Sequence, residues 1–233
     1  TAQLASDDRF RSRFAREIRL VSRLSHSGIV CLYDHGRLPE DIDLLHEDAL
    51  VPGAPYCLME WIPGGTLHDR LGTMQWAELR ATLLTLLDAL ASAHSHMIIH
   101  RDLKPQNVLM AERGPVISDF GIAYGLDAGD RMHDEHSFVG TPNYMSPEQI
   151  RGDWRAFGPW TDLYALGCLS YAIISGRPPF PAKSFTEAIN GHLNVPIPPL
   201  DPLMPIPDGL DEWLSRLMAK QPRNRFQLAA DAA

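Results

Sequence analysis

The chain has 233 residues, 45% of them hydrophobic, and a formal net charge of -8. That hydrophobic content suffices for a buried core in one large domain or in two lobes, and the acidic balance argues against a broad nucleic-acid footprint, so no nucleic acid is expected among the partners. The most apolar long stretch, Leu163 to Ile174, is shorter than the roughly 20 residues a bilayer requires, and no signal peptide opens the chain, so no membrane segment is expected.

Residues 10–24, FRSRFAREIRLVSRL, read as an amphipathic helix. Phe10, Phe14, Ile18, Val21 and Leu24 share one stripe, with five arginines largely off it. Glu17 borders the apolar face. It is either a rim carboxylate beside an arginine or a carboxylate aimed inward at a cation from another element. GIVCLYDHG (28–36) and PYCLMEWI (55–62) read as short strands, and the acidic stretch between them as a loop. Pro63-Gly64-Gly65 is a break and a candidate hinge. From Trp76 to Met97 the pattern is helical, with Leu79, Leu83, Leu86, Leu90, His94 and Met97 at spacings of three and four. His94, His96 and His100 suggest a metal site, but a helix ending near Met97 leaves them without a common face, which favours packing and capping. Two short strands follow, NVLM and PVIS, then a loop rich in Gly, His and Asp. Helical patterns occupy 161–175 and 208–220, with proline-rich connections at 178–181 and 196–207. No internal repeat is present. Cys31, Cys57 and Cys168 stand far apart in apolar settings and read as buried, reduced thiols of a cytoplasmic protein.

The chemistry concentrates in HRDLKPQNVLM, His100 to Met110. Phosphoryl transfer works mainly by positioning and electrostatic stabilisation. It needs a carboxylate to orient the attacking hydroxyl, a cation near the transferred group and oxygen ligands for a divalent metal. Asp102, Lys104 and Asn107 offer all three. Asp119-Phe120-Gly121 lies twelve residues beyond Asn107. A β-hairpin between them would return Asp119 to Asn107, so that both could hold metal.

These motifs resemble the eukaryotic-like (Hanks-type) protein serine/threonine kinases, and the bacterial members most. HRDLKPQN matches the catalytic-loop pattern, DFG the metal-binding motif, and SPE (146–148) stands where the family has Ala-Pro-Glu. GTPNYMSPEQ and TDLYALGCLSYAIISGRPPF extend the likeness, which runs from about Phe10 to the end. The resemblance implies an α+β, two-lobed protein-kinase fold. Residues 1–62 would be a partial N-lobe of one helix and the remaining strands; 63–233 would be a complete, mostly helical C-lobe. It implies ATP and Mg²⁺ (or Mn²⁺) as cofactors and protein Ser/Thr hydroxyls as substrates, with self-association for autophosphorylation.

By the same resemblance Asp102 is the catalytic base, Lys104 neutralises the transferring phosphate, and Asn107 and Asp119 hold the metal. Thr141 would contact Asp102 and Lys104 and shape the substrate site. Met59 would guard the back of the nucleotide pocket, the backbone of Glu60 and Ile62 would bond the base, and Leu109 would lie beneath it. His100 and Phe120 would stack with Val21 and Leu32. Glu148 would pair with Arg225, and Asp162 would hold the catalytic loop. Arg101 implies control by a phosphate on the activation segment, with Ser137 as acceptor. Asp127, Asp130, Asp134 and Glu135 make that segment acidic and could partly stand in for the phosphate.

Lysine supply raises the remaining question. The three lysines are Lys104, Lys183 and Lys220, and no glycine precedes Phe10. The family's glycine-rich loop and the strand lysine that would pair with Glu17 therefore have no counterpart in this sequence. One account is a chain that begins inside the small lobe of an active kinase. Another is a pseudokinase or kinase-like binding module. A third, a small-molecule phosphotransferase, would not need Thr141, the SPE turn or Arg225. A glycine-rich loop and lysine upstream would favour the enzyme, and anchoring to a membrane through residues outside the chain stays open.

Overall fold

The computed structural model describes residues 8–39, 52–120 and 142–233. Helix α1 spans Asp8–Val21, and its apolar stripe turns Ile18 and Val21 into the core. Strands β1 (Leu32–Arg37) and β2 (Pro55–Met59) pair antiparallel from Leu32↔Met59 to Arg37↔Pro55, with a bulge between Leu32 and Asp34. The expected strand over 28–36 is split. Its first half is stitched to a different hairpin: Ile117 N donates to Gly28 O at 2.8 Å and Val30 N to Ile117 O at 2.9 Å. Packing accounts for the split, because Ile29 joins the main core whereas Val30 packs with Ile62 and Val116. A cysteine at this junction faces solvent, so Cys31 is exposed and Cys57 half-buried; only Cys168 is the buried thiol expected, pushed up to about 12 by that burial.

Helix α2 (Trp76–Ser95) buries Leu79, Leu83, Leu86 and Leu90 as the spacing predicts. It ends two residues before the expected Met97, for a local reason. Met97 adopts φ 61, Met97 N donates to His94 O at 2.9 Å and Ile98 N to Ala93 O at 3.0 Å. This is a left-handed helix stop, and it swings Met97 out to 91% exposure instead of continuing the apolar stripe.

Strands β3 (Val108–Ala111) and β4 (Gly114–Ile117) form the second hairpin, in register Val108↔Ile117. The Pro63–Gly65 break lies against it: Met110 N donates to Gly65 O at 3.0 Å, and a Cβ on Gly64 would fall 1.8 Å from Met110 O. Only glycine permits that approach.

The rest is helical: α3 (Pro147–Ile150), α4 (Pro159–Ser175), α5 (Phe185–Asn194) and α6 (Leu210–Leu217). Every residue of α4 from Thr161 to Ser175 is buried, which makes it the centre of this part of the fold. Helix α5 was not expected from periodicity. Its readable signal is a cap, since Ser184 Oγ accepts from Glu187 N at 3.2 Å and Glu187 Oε2 from Lys183 N at 2.8 Å. Helix α6 is shorter than the pattern over 208–220, because Gly209 sits at φ 85 before it and Met218 closes it. Among the described residues no helix is long and apolar enough to cross a membrane.

One buried group couples this core to pH. His192 bonds Tyr164 Oη through Nδ1 at 2.9 Å and meets Phe180 edge-on. Burial, reinforced by the Lys220 cation, pushes it from 6.5 down to about 3. Between those values the unfolded chain binds a proton that the folded chain refuses, so stability rises with pH across the window. The melting temperature is expected to fall as pH drops below about 6.5, and His192→Asn to flatten that slope while lowering stability at pH 7.5. An unchanged slope in the variant would contradict this account.

Candidate active site

The catalytic loop is suspended from α4 by one carboxylate. Asp162 accepts His100 N at 2.8 Å, Arg101 N at 2.9 Å and His94 Nε2 at 2.8 Å. Burial alone would raise its pKa, but the His94 bond, the neighbouring imidazoles and the His100 amide outweigh it and hold the carboxyl below its usual range. Arg101 takes φ 67, a left-handed conformation that costs a non-glycine residue about 1–3 kcal/mol. It is pinned there from both sides, by Asp162 on its N–H and by Gln149 Nε2, which donates to its carbonyl at 2.6 Å.

His100 is buried, and its Nδ1 accepts Asp102 N at 3.2 Å. A backbone N–H can only donate, so the ring proton resides on Nε2, which bonds Ser118 O at 2.8 Å. The ring lies 4.7 Å from Phe120, whose core also includes Val21, with Leu32 packed at its edge. Of the column that the resemblance implies, the His100–Phe120 ring contact is present, and Val21 and Leu32 belong to the same core.

Asp102 projects from this frame with about half its side chain exposed. Lys104 Nζ donates to its Oδ2 at 2.7 Å, and Asn107 Nδ2 donates to the same oxygen at 3.0 Å and to Asp102 O at 2.8 Å. With its N–H group turned to Asp102, Asn107 keeps its amide oxygen for another role. Ser118 N donates to Asn107 O at 2.9 Å, extending the hairpin by one step and bringing the backbone of Asp119 next to that of Asn107. Asp119 adopts φ 55, is exposed, and accepts Ser118 Oγ at 3.2 Å. A carboxylate and an amide oxygen form a hard donor set suited to Mg²⁺.

On the nucleotide side, Met59, Ile62 and Leu109 gather into one apolar cluster with Val30 and Val116. The Glu60 side chain turns to Arg113, which grips it at 2.6 and 2.7 Å. Glu17 lies 3.5 Å from Arg101 Nη1, both partly buried. The cation in front of Glu17 here is thus the arginine beside Asp102, an encounter the sequence reading did not foresee. Arg101 Nε is buried without a hydrogen-bond partner among the described residues. The three histidines of HSHMIIH diverge: His94 to Asp162, His96 Nδ1 to Ser92 O at 2.9 Å, and His100 to Ser118. Thr141, Ser137 and the acidic residues Asp127, Asp130, Asp134 and Glu135 lie outside the described residues.

Glu148 and Arg225 form a buried two-pronged pair at 2.8 and 2.9 Å, as expected. Arg225 also donates to Ala219 O and Trp160 O, and Thr161 Oγ1 donates to Glu148. Gln149, Ser118 and Arg113 escaped the sequence reading. Gln149 had a signal: Ser146 and Gln149 form a capping box, with Ser146 N donating to Gln149 Oε1 at 3.1 Å.

Residues 2–231 match the protein kinase domain family. The chain is 36% identical over 236 residues to the probable serine/threonine-protein kinase PknB of Bifidobacterium longum, covering 99% of this chain and 33% of that protein. It is 36% identical over 238 residues to the serine/threonine-protein kinase PknB of Mycolicibacterium smegmatis and 35% identical over 238 to that of Mycobacterium tuberculosis, covering 99% of this chain and 36% of each relative. The chain therefore spans about a third of the length of these relatives. The matched span includes the catalytic-loop triad, the DFG aspartate and the buried Glu148–Arg225 pair, and the chain belongs to the protein kinase domain family.

Proposed function

We propose that this chain carries the catalytic machinery of a protein serine/threonine kinase, transferring the γ-phosphoryl group of ATP to Ser or Thr hydroxyls of proteins. The observation that carries the reading is Asp102 Oδ2, which meets Lys104 at 2.7 Å and Asn107 at 3.0 Å at the foot of the hairpin leading to Asp119. The names of the relatives support the same activity. Asp102 orients the substrate hydroxyl and accepts its proton as the hydroxyl oxygen bonds to the γ-phosphorus and the bond to the β,γ-bridging oxygen breaks. Lys104 is placed to pair with the charge on the transferred group. Asn107 and Asp119 would hold Mg²⁺, which when bound offsets phosphate charge. Met59, Ile62 and Leu109 form the adenine slot, with the backbone of Glu60 and Ile62 as its polar edge.

Residues 1–62 and 63–233 are read as the two lobes. Thr141 beside Asp102 and Lys104, and Ser137 as a phosphate acceptor opposite Arg101, are carried by the resemblance. So are self-association during autophosphorylation and a cytoplasmic site of action. No lysine precedes Lys104 in these residues, and they do not supply the strand lysine that the family aims at the α- and β-phosphates.

Asp119→Asn tests the metal assignment. In the full-length protein it is expected to raise the Mg²⁺ concentration needed for half-maximal activity by about tenfold or more, the scale on which lost metal-site interactions act. A Mg²⁺ titration superimposable on that of the unaltered protein would remove Asp119 from the metal site.

A further inference from the structure

Arg113 has no part in phosphoryl transfer, yet all three of its guanidinium nitrogens are engaged. It occupies the turn between β3 and β4, just before Gly114 at φ 116. Its Nη1 and Nη2 donate to the two carboxylate oxygens of Glu60 at 2.6 and 2.7 Å, and its Nε donates to Ser27 O at 3.0 Å. One side chain thereby ties together three segments distant in sequence: the linker after α1, the residue following β2, and the β3–β4 turn. The Glu60 side chain is 18% exposed and that of Arg113 42%, so the pair is partly shielded. The Arg113 bonds are the leading cause that holds the Glu60 carboxyl below its usual range.

The tie has a direct relation to the adenine slot. Glu60 N donates to Cys31 O at 2.9 Å, fixing the backbone on one side of the clamped residue. Met59 precedes Glu60, Ile62 follows it by two residues, and both pack in the same cluster as Leu109 and Val116, which belong to the hairpin whose turn carries Arg113. The slot thus has an edge on one segment and a floor on another, and the guanidinium spans the two. Isolated surface ion pairs contribute little, but a forked arginine–carboxylate pair, here partly shielded, also fixes geometry. A site whose parts are already registered loses less freedom when its ligand arrives.

We infer that Arg113 is a positioning residue for the nucleotide, clamping the Glu60 edge of the adenine slot to the hairpin that carries Leu109. The inference rests on the kinase reading above and adds to it a residue that touches neither substrate nor metal.

The test uses the full-length protein with Arg113→Ala, Arg113→Lys, Glu60→Gln and the exchanged pair Arg113→Glu with Glu60→Arg. Affinities for ATP and for adenosine are measured by calorimetry, kcat and KM by steady-state assay, and exchange of the Glu60 and Cys31 amides by hydrogen–deuterium exchange. Arg113→Ala and Glu60→Gln are each expected to weaken ATP and adenosine alike by about 2- to 5-fold, the scale of one solvent-screened forked pair. In both the KM for ATP should rise in step and the Glu60 amide should exchange faster, and in Arg113→Ala kcat should stay within about twofold. Arg113→Lys should fall between, since an ammonium cannot form the fork, and the exchanged pair should recover part of the affinity. Unchanged affinity and exchange in Arg113→Ala would overturn the inference, as would a loss in kcat with KM preserved. If the unaltered protein binds neither ATP nor adenosine, the kinase reading itself fails, a result distinct from a wild type that binds and a variant that binds equally well.

Discussion

Asp102→Asn in the full-length protein is expected to lower turnover by about 10²–10⁴-fold, the range that positioned proton transfer contributes, with ATP affinity close to that of the unaltered protein. The substitution is nearly isosteric, so the loop should keep its place: Asp162 holds it through the amides of His100 and Arg101, not through the Asp102 side chain. What changes is the atom facing the substrate. Asp102 Oδ2 receives Lys104 and Asn107 at 2.7 and 3.0 Å, which leaves the other carboxylate oxygen for the hydroxyl. An asparagine oriented to keep Lys104 on its oxygen presents an NH₂ group there, which cannot take a proton. The loss belongs to the transition state, so kcat carries it and the nucleotide dissociation constant does not. Single-turnover phosphorylation of a serine peptide, with calorimetric titration of ATP, separates the two quantities. Wild-type rates in the variant would overturn the assignment of the base.

Glu148→Ala should have the largest effect on stability. Its partner Arg225 is 2% exposed, and the pair is joined by two bonds in the interior. Removing the carboxylate strands a guanidinium that cannot lose its proton, and breaking a buried pair in this way costs about 3–5 kcal/mol. For a chain of this size each kcal/mol lowers the melting temperature by roughly 2–4 °C, so a fall of about 6–20 °C is expected. Arg225 still has the carbonyls of Ala219 and Trp160, which places the effect in the lower half of that span. Glu148→Gln keeps an oxygen for Arg225 and should lose less. Calorimetric melting of the three proteins decides the matter, and an alanine variant as stable as the unaltered protein would show that the ion pair is not what stabilises this corner.

The catalytic loop, the DFG aspartate and the long helix from Trp76 were legible because each is written in adjacent residues or in a strong period, whereas the Glu148–Arg225 pair, 77 residues apart, was reached only through the family resemblance. What escaped depends on contacts between segments. Residues 28–36 have the composition of one strand, but Ile29 and Val30 are drawn to different cores, and composition does not report which neighbour an apolar residue will find. Met97 continues the helical spacing of α2 and is exposed, because the left-handed stop depends on backbone bonds to Ala93 and His94 that periodicity does not encode. Glu17 was legible as a carboxylate either at the rim of the apolar face or aimed inward, whereas its encounter with Arg101 joins residues 84 apart. Arg113 carried no signal in the sequence, and only the fold brings it to Glu60 and Ser27.

Asp162 grips main-chain amides, and every residue type except proline has one. The start of the loop is therefore held by amides rather than by the side chains at 100 and 101, and the His100 ring adds a second hold through Asp102 N. His100 is left to bridge to Ser118, and Arg101 is left with a guanidinium that can answer to charge from elsewhere. Anchorage and chemistry are assigned to different residues. The side chain at 101 can be retuned without removing either amide that Asp162 holds, whereas loss of that one carboxylate, in the first turn of α4, is expected to displace Asp102 while every group around the substrate keeps its identity.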